Sequence, residues 1–346
     1  MAYTTINKQE TFFKTLLYTG NGASSRSLTG VGFQPDWIWI KDRSTGHDHY
    51  CFQSPFTAYK YGLEPSDTSG ERNPQLGSFD SDGFTFSGLD SFYNTNSDNY
   101  VSWNWKAGTT SGLSGGTITP TAYSFNVTSG FGMYVYTGTG SNANIAHGLG
   151  RIPHMVMVKR IDQDGNSWQV YHKNNGANQW IELDNNTAQQ SNTNRWNGTA
   201  PTSSIFYIGT DSDVNASGGR YIAYVFAPIP GYSRIGAYKG QGGAGGQTPF
   251  IYTGFKPSWI MIKKANGTQN WRMFDSARDI DNPMEHQLKA DTSDTESAGT
   301  SFINFVSNGF KILATSDSIN GNNGDYIYLC FGQSVVGSNN IPATAR

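Results

Sequence analysis

Three stretches of this chain share one grammar: Gly, two residues, Pro, one residue, four apolar residues, then Lys. They read Gly32-Phe33-Gln34-Pro35-Asp36-Trp37-Ile38-Trp39-Ile40-Lys41, Gly150-Arg151-Ile152-Pro153-His154-Met155-Val156-Met157-Val158-Lys159 and Gly254-Phe255-Lys256-Pro257-Ser258-Trp259-Ile260-Met261-Ile262-Lys263. The prolines lie about 118 and about 104 residues apart. That spacing is too long for a solenoid or propeller-blade repeat and suits a small domain. Two further landmarks recur in the same order. An aromatic, Gly-rich turn opens each copy: Tyr18-Thr19-Gly20-Asn21-Gly22, Tyr136-Thr137-Gly138-Thr139-Gly140 and Tyr238-Lys239-Gly240-Gln241-Gly242. An aromatic strand closes it: Tyr100-Val101-Ser102-Trp103-Asn104-Trp105, Tyr221-Ile222-Ala223-Tyr224-Val225-Phe226 and Tyr326-Ile327-Tyr328-Leu329-Cys330-Phe331. The chain is read as three copies of one module.

The runs within a module are short, β-branched or aromatic, and bounded by Gly, Asn, Asp or Pro, which is a strand signature. The four apolar residues after each proline read as a strand covered on both faces, as in the middle of a sandwich. The expectation is all-β: three tandem β-sandwich modules of jelly-roll type. The boundaries are a lead-in at 1–17, modules at 18–107, 130–228 and 229–333, a linker at 108–129 and an extended tail at 334–346. Phe12, Phe13, Leu16 and Leu17 have helical spacing, so the lead-in is expected to form a short helix. The 108–129 linker is rich in Gly, Ser and Thr and reads as flexible.

Composition narrows the classes of function. Charged residues make up 14% of the chain and the net charge is −2, so the basic footprint that nucleic acid requires is missing. No apolar run approaches the ~18 residues of a membrane helix, and the first twenty residues do not read as a signal peptide. With only two cysteines, Cys51 and Cys330, in different modules, two buried thiols are the preferred reading over a disulfide.

Few constellations suggest chemistry. His47 and His49 flank Asp48 and would share a strand face, which makes them the candidate metal ligands; a polar hairpin tip is the preferred alternative. Asp80 and Asp82 have the look of paired acids, but Asp82-Gly83 is a common hairpin turn. Asp211-x-Asp213-x-Asn215 and Asn320 to Asp325 resemble fragments of calcium loops without the closing Glu, but such a loop precedes the closing strand in every copy (Asn94 to Asp98 in the first), so loop formation explains them more simply. Trp168, Trp180, Trp196 and Trp271 lie in polar surroundings and are the candidate carbohydrate platforms. No nucleophile elbow, P-loop or zinc-protease motif is present. The expectation is a protein that is not an enzyme and takes no cofactor.

Leu17-Tyr18-Thr19-Gly20-Asn21-Gly22, the Pro35 stretch continued through Asp42-Arg43, Phe79-Asp80-Ser81-Asp82-Gly83-Phe84 and Tyr100 to Lys106 together resemble a module common in structural proteins of marine bacteriophages and cyanophages. The resemblance is strongest in the first copy, partial in the third, and limited in the second to the proline and closing strands. It implies a concanavalin-like sandwich in a virion component on the exterior of the particle, and it supplies no catalytic residues. The implied role is a tail fibre or adhesin. A capsid or neck decoration protein is the alternative, and a polysaccharide depolymerase is the alternative of another class, although a Glu-x-Asp-x-x-Glu motif is missing. The implied partners are other virion proteins, further copies in a homo-oligomer (a trimer for a fibre) and a host surface glycan or receptor, with neither nucleic acid binding nor membrane insertion.

Overall fold

The computed structural model describes residues 4–56, 61–72, 76–88, 90–243 and 247–334. The chain is all-β, and the three copies fold as sandwiches of one design. In each, an opening strand (Phe13–Thr19, Phe131–Thr137, Ser233–Lys239) pairs antiparallel with a closing strand (Asn99–Trp105, Arg220–Phe226, Asp325–Ser334). The closing strand pairs in turn with the proline-signature strand (Trp37–Asp42, Met155–Arg160, Phe255–Lys264). A flanking strand follows (Tyr50–Gln53, Gln169–His172, Arg272–Asp275), then an edge strand (Gly62–Leu63, Gln179–Glu182, Met284–Lys289). Trp37 faces Trp105, Met155 faces Phe226 and Trp259 faces Phe331, so the three prolines sit two residues before equivalent rungs.

A second layer covers one side of each sheet. It is Arg26–Thr29, Gly83–Phe86 and Leu76–Asp80 in module 1, and Ala143–Ala146 with Ile205–Ile208 in module 2. In module 3 the ladder runs on through Ser297–Val306 and Gly309–Ile312 to Phe250–Tyr252, making one eight-stranded sheet folded over on itself. Alternate residues of the signature strands fill these sandwich interiors: Ile38 and Ile40, Val156 and Val158, Ile260 and Ile262, each in a separate cluster.

The other face of each sheet explains the unbroken apolar run. Side chains alternate across a strand, so Trp37 and Trp39, Met155 and Met157, and Trp259 and Met261 point away from their own sandwiches. They meet in a single central cluster with Trp103, Trp105, Tyr224, Phe226, Leu329 and Phe331. Trp37 stacks on Trp105 at 4.2 Å and lies 4.8 Å from Tyr224 of module 2. Trp105 meets Trp259 of module 3 edge-on at 5.7 Å, and Phe226 lies 6.2 Å from Phe331. The three sandwiches are not beads on a string. Their outer sheet faces form one shared core around a threefold-like axis.

Two expectations are corrected. The Phe12 to Leu17 stretch is not helical: a single 3-10 turn, Gln9–Thr11, precedes the Phe13–Thr19 strand. Pairing along Asn99–Trp105 outweighs local helical spacing, and Phe13 enters the central core with Ile6. The 108–129 segment is folded, not a loose tether. Its Ala122–Asn126 strand pairs with Phe131 to Val135, and Thr109 bridges to Phe125. The expected tail beyond Ser334 lies outside the described residues.

Candidate functional site

The junctions between modules are where polar chemistry is concentrated, and they repeat in cyclic order. Just before each flanking strand stands a ring with an N–H: His49, Trp168 or Trp271. His49 Nε2 meets the Lys289 carbonyl oxygen at 2.8 Å, Trp168 Nε1 donates to the Glu64 carbonyl at 3.0 Å, and Trp271 Nε1 donates to the Glu182 carbonyl at 2.7 Å. Module 1 thus reaches module 3, module 2 reaches module 1, and module 3 reaches module 2. Head-to-tail contacts of this kind close into a ring when the rotation closes.

Three more positions repeat cyclically in the opposite sense, module 1 to 2, 2 to 3 and 3 to 1. Gln53, His172 and Asp275 end the flanking strands. Gln53 accepts from the Tyr224 hydroxyl at 2.9 Å, His172 Nε2 faces the Tyr328 carbonyl at 3.5 Å, and Asp275 accepts from Trp103 Nε1 at 3.1 Å. The lysines closing the signature, Lys41, Lys159 and Lys263, are fully buried. Lys159 donates to the Thr68 carbonyl of module 1 and Lys263 to the Asn186 carbonyl of module 2. Burial lowers Lys41 and Lys263 to about 8 and moves Lys159 the same way. They are still mainly ammonium at neutral pH, solvated by carbonyl oxygens in place of water.

At the rim of each junction a backbone amide from one module binds the carbonyl two residues past the next module's lysine. The donors are Glu296, Glu71 and Gln189; the acceptors are Arg43, Ile161 and Ala265. Two of the three junctions add a charge pair. Glu296 makes a bidentate contact with Arg43 at 2.9 and 2.7 Å and also binds Arg278, which pairs with Asp275. Glu71 pairs with Arg220 at 3.2 Å, beside a recess of about 240 Å³. The junction of modules 2 and 3 has no such pair, because Gln189, Ala265 and Asp325 stand at the corresponding positions.

The sequence candidates fall differently from their expected roles. Trp168, Trp180, Trp196 and Trp271 are all buried, at 0, 8, 2 and 1% exposure, so none offers a ring face to a sugar. Trp180 is covered by the Arg195 guanidinium, 4.5 Å from its ring centre, and Trp196 packs edge-on against Tyr171. His47 and His49 do not converge. His47 bonds Asp42, while His49 Nδ1 accepts from Trp39 Nε1 and its Nε2 is committed to Lys289. Burial holds His49 well below the usual imidazole range, so it stays neutral in that tautomer. Among the described residues no group of three His, Cys, Asp or Glu is placed to hold a metal. The equivalence of His49, Trp168 and Trp271 was missed because the repeat conserves a ring N–H and not a residue type.

The Asn-rich loops serve the fold. Asn94, Asn215 and Asn320 are buried and accept from the backbone amides of Asn21, Thr139 and Gln241, tying each opening turn to the loop before the closing strand. Asp82 accepts from the Gly30 and Gly32 amides, a turn role and not an acid pair. Cys51 and Cys330 are both buried free thiols. Outside the junctions, Phe250 and Tyr252 expose an aromatic pair on one face of their strand, at 50 and 53%. Alternation around Ile251 was the available signal for it. No helix among the described residues is long and apolar enough to cross a membrane.

These features define an all-β protein whose three sandwiches close into a ring within one chain. Residues 8–334 match the family described as a domain of unknown function (DUF7483), and the chain belongs to it. No curated protein matches the chain.

Proposed function

We propose that this chain is a structural subunit of a bacteriophage particle, tail-fibre-like, which attaches by one end of its ring and displays the other to a host surface. The observation that carries the reading is the polarity of the ring. The opening strands start, and the closing strands finish, at one end, where Thr4, Gly231 and Ser334 come together. Gln9 there binds Gln333, and Gln333 binds the Asn7 carbonyl. The three Gly-rich opening turns and their Asn-stapled loops lie at the opposite end, presented in parallel. Weak contacts made by three parallel loops reinforce one another through effective concentration.

The resemblance of the signature segments to phage structural modules supports the virion assignment, and the low-charge, Gly- and Asn-rich surface suits an exterior location. The reading assigns no catalytic step. Because three modules already close a ring, it takes one chain as the threefold unit; light scattering on the purified protein separates this from the homotrimer expected of a fibre. The test of function is mass spectrometry of gradient-purified particles, followed by antibody labelling of a short tag inserted at Gly22. Detection with labelling on intact particles is expected. Absence of the chain from purified particles refutes the proposal.

A further inference from the structure

The junction of modules 2 and 3 differs from its two equivalents in a way that points to a ligand. A recess of about 360 Å³ opens between Asn174, Asn175, Gln179 and Gln189 of module 2 and Ala265 and Asp325 of module 3. That volume is at the small end of the range for ligand pockets, roughly 300–1,000 Å³. Where the other junctions set a Glu against an Arg, this one has a neutral amide, a methyl group and a carboxylate. A glutamate at 189 would face Asp325, and an arginine at 265 would fill the space. The recess at the junction of modules 1 and 2, about 420 Å³, is lined by the Glu71–Arg220 pair, Arg72, Asp162 and Asp164, whereas the walls here are mostly carboxamides.

The walls are also short of partners. The side-chain amides of Asn174, which is exposed, and Gln189, which is half-buried, make no hydrogen bond to the described residues and are open to solvent. Gln179 is held in place by Ser191 at 2.7 Å. Asp325 is bound by Asn266 Nδ2 at 3.0 Å and by Lys239 at 2.8 Å, which offsets its charge. Uncommitted carboxamides donate and accept together, as vicinal hydroxyl groups do.

We propose that this recess binds a neutral saccharide, one or two sugar units in length, through the carboxamides of Asn174, Asn175 and Gln189. The site rests on the geometry of the junction and not on the virion reading, and its test uses only purified protein and free sugars. Saturation-transfer NMR of the full chain with glucose, galactose, mannose and N-acetylglucosamine is expected to give transfer to at least one. The side-chain amide resonances of Asn174, Asn175 and Gln189 should shift on addition of that sugar. The Q189E/A265R double variant installs the pair that Glu296 and Arg43 make and should abolish transfer while the melting temperature holds or rises. A folded double variant that retains wild-type transfer overturns the assignment. So does transfer to none of the four sugars, or transfer in the wild type that leaves those amide resonances unmoved.

Discussion

Replacing Trp37 by Ala is the sharpest test of a shared core. The ring is 1% exposed and touches Trp39 and Trp105 of its own module and Phe131, Tyr224 and Phe226 of module 2. Truncating a buried Trp costs about 3–5 kcal/mol, the transfer cost of the lost atoms plus the cavity left behind. For a chain of 346 residues the unfolding entropy is about 0.7 kcal/mol/K near 60 °C, so about 4 kcal/mol lowers the melting temperature by about 5 °C. Independent modules would respond differently: one of three transitions would fall and the others stay put. The shared core requires the whole transition to move together, because module 2 loses packing with module 1. Differential scanning calorimetry reads this directly, as one endotherm with matching calorimetric and van't Hoff enthalpies. Separable transitions, with only one moved by the substitution, would refute the reasoning. Val127→Ala, at a site 51% exposed, is the control and should shift stability by no more than about 0.5 kcal/mol.

Three further outcomes are expected. Trp271→Phe leaves the Glu182 carbonyl without its donor and should cost about 1–3 kcal/mol in urea denaturation, with no change in oligomeric state. Burial lowers His172 to about 3, so the unfolded chain takes up a proton below pH 6.5 that the fold refuses. Stability is therefore complete above that pH and falls as pH drops towards 3, by up to about 1.4 kcal/mol per unit for this group. Burial raises Asp291 to about 6, which moderates the fall between about pH 6 and 4. His172→Gln, copying the equivalent Gln53, should flatten the acid limb measured by chemical denaturation at stepped pH. Deleting residues 1–14 should destabilise the whole ring, because Ile6 and Phe13 belong to the central core; circular dichroism melts matching the full chain would count against this.

The module count, the strand assignment of the signature and the burial of Trp37 and Trp259 were legible in the sequence. A repeated pattern of apolar residues and turn residues reports the period and the covered faces. It does not report what covers them. An unbroken run such as Trp37-Ile38-Trp39-Ile40 is the same whether the second face meets its own sheet or a neighbouring module, and here it meets neighbours. The junction residues were hidden for a related reason. A carbonyl needs only a donor, so His49, Trp168 and Trp271 fill one role with two residue types, and their polar sequence neighbours suggested exposure. Phe12 to Leu17 went astray because helical spacing is local, whereas the Asn99–Trp105 partner is some eighty residues away.

The shared core also sets a timetable for synthesis. The Trp37, Trp39, Trp103 and Trp105 face of module 1 is complete once residue 105 has left the ribosome, yet its last cover, Phe331, is made more than two hundred residues later. At roughly 5–20 residues per second that face waits uncovered for tens of seconds, or roughly ten at the fastest rate. A nascent chain with four tryptophans on an unsatisfied sheet needs a holdase, or it risks pairing with the same face on a neighbouring polysome. Yield in expression should therefore follow chaperone supply and translation rate more closely than the stability of the finished ring.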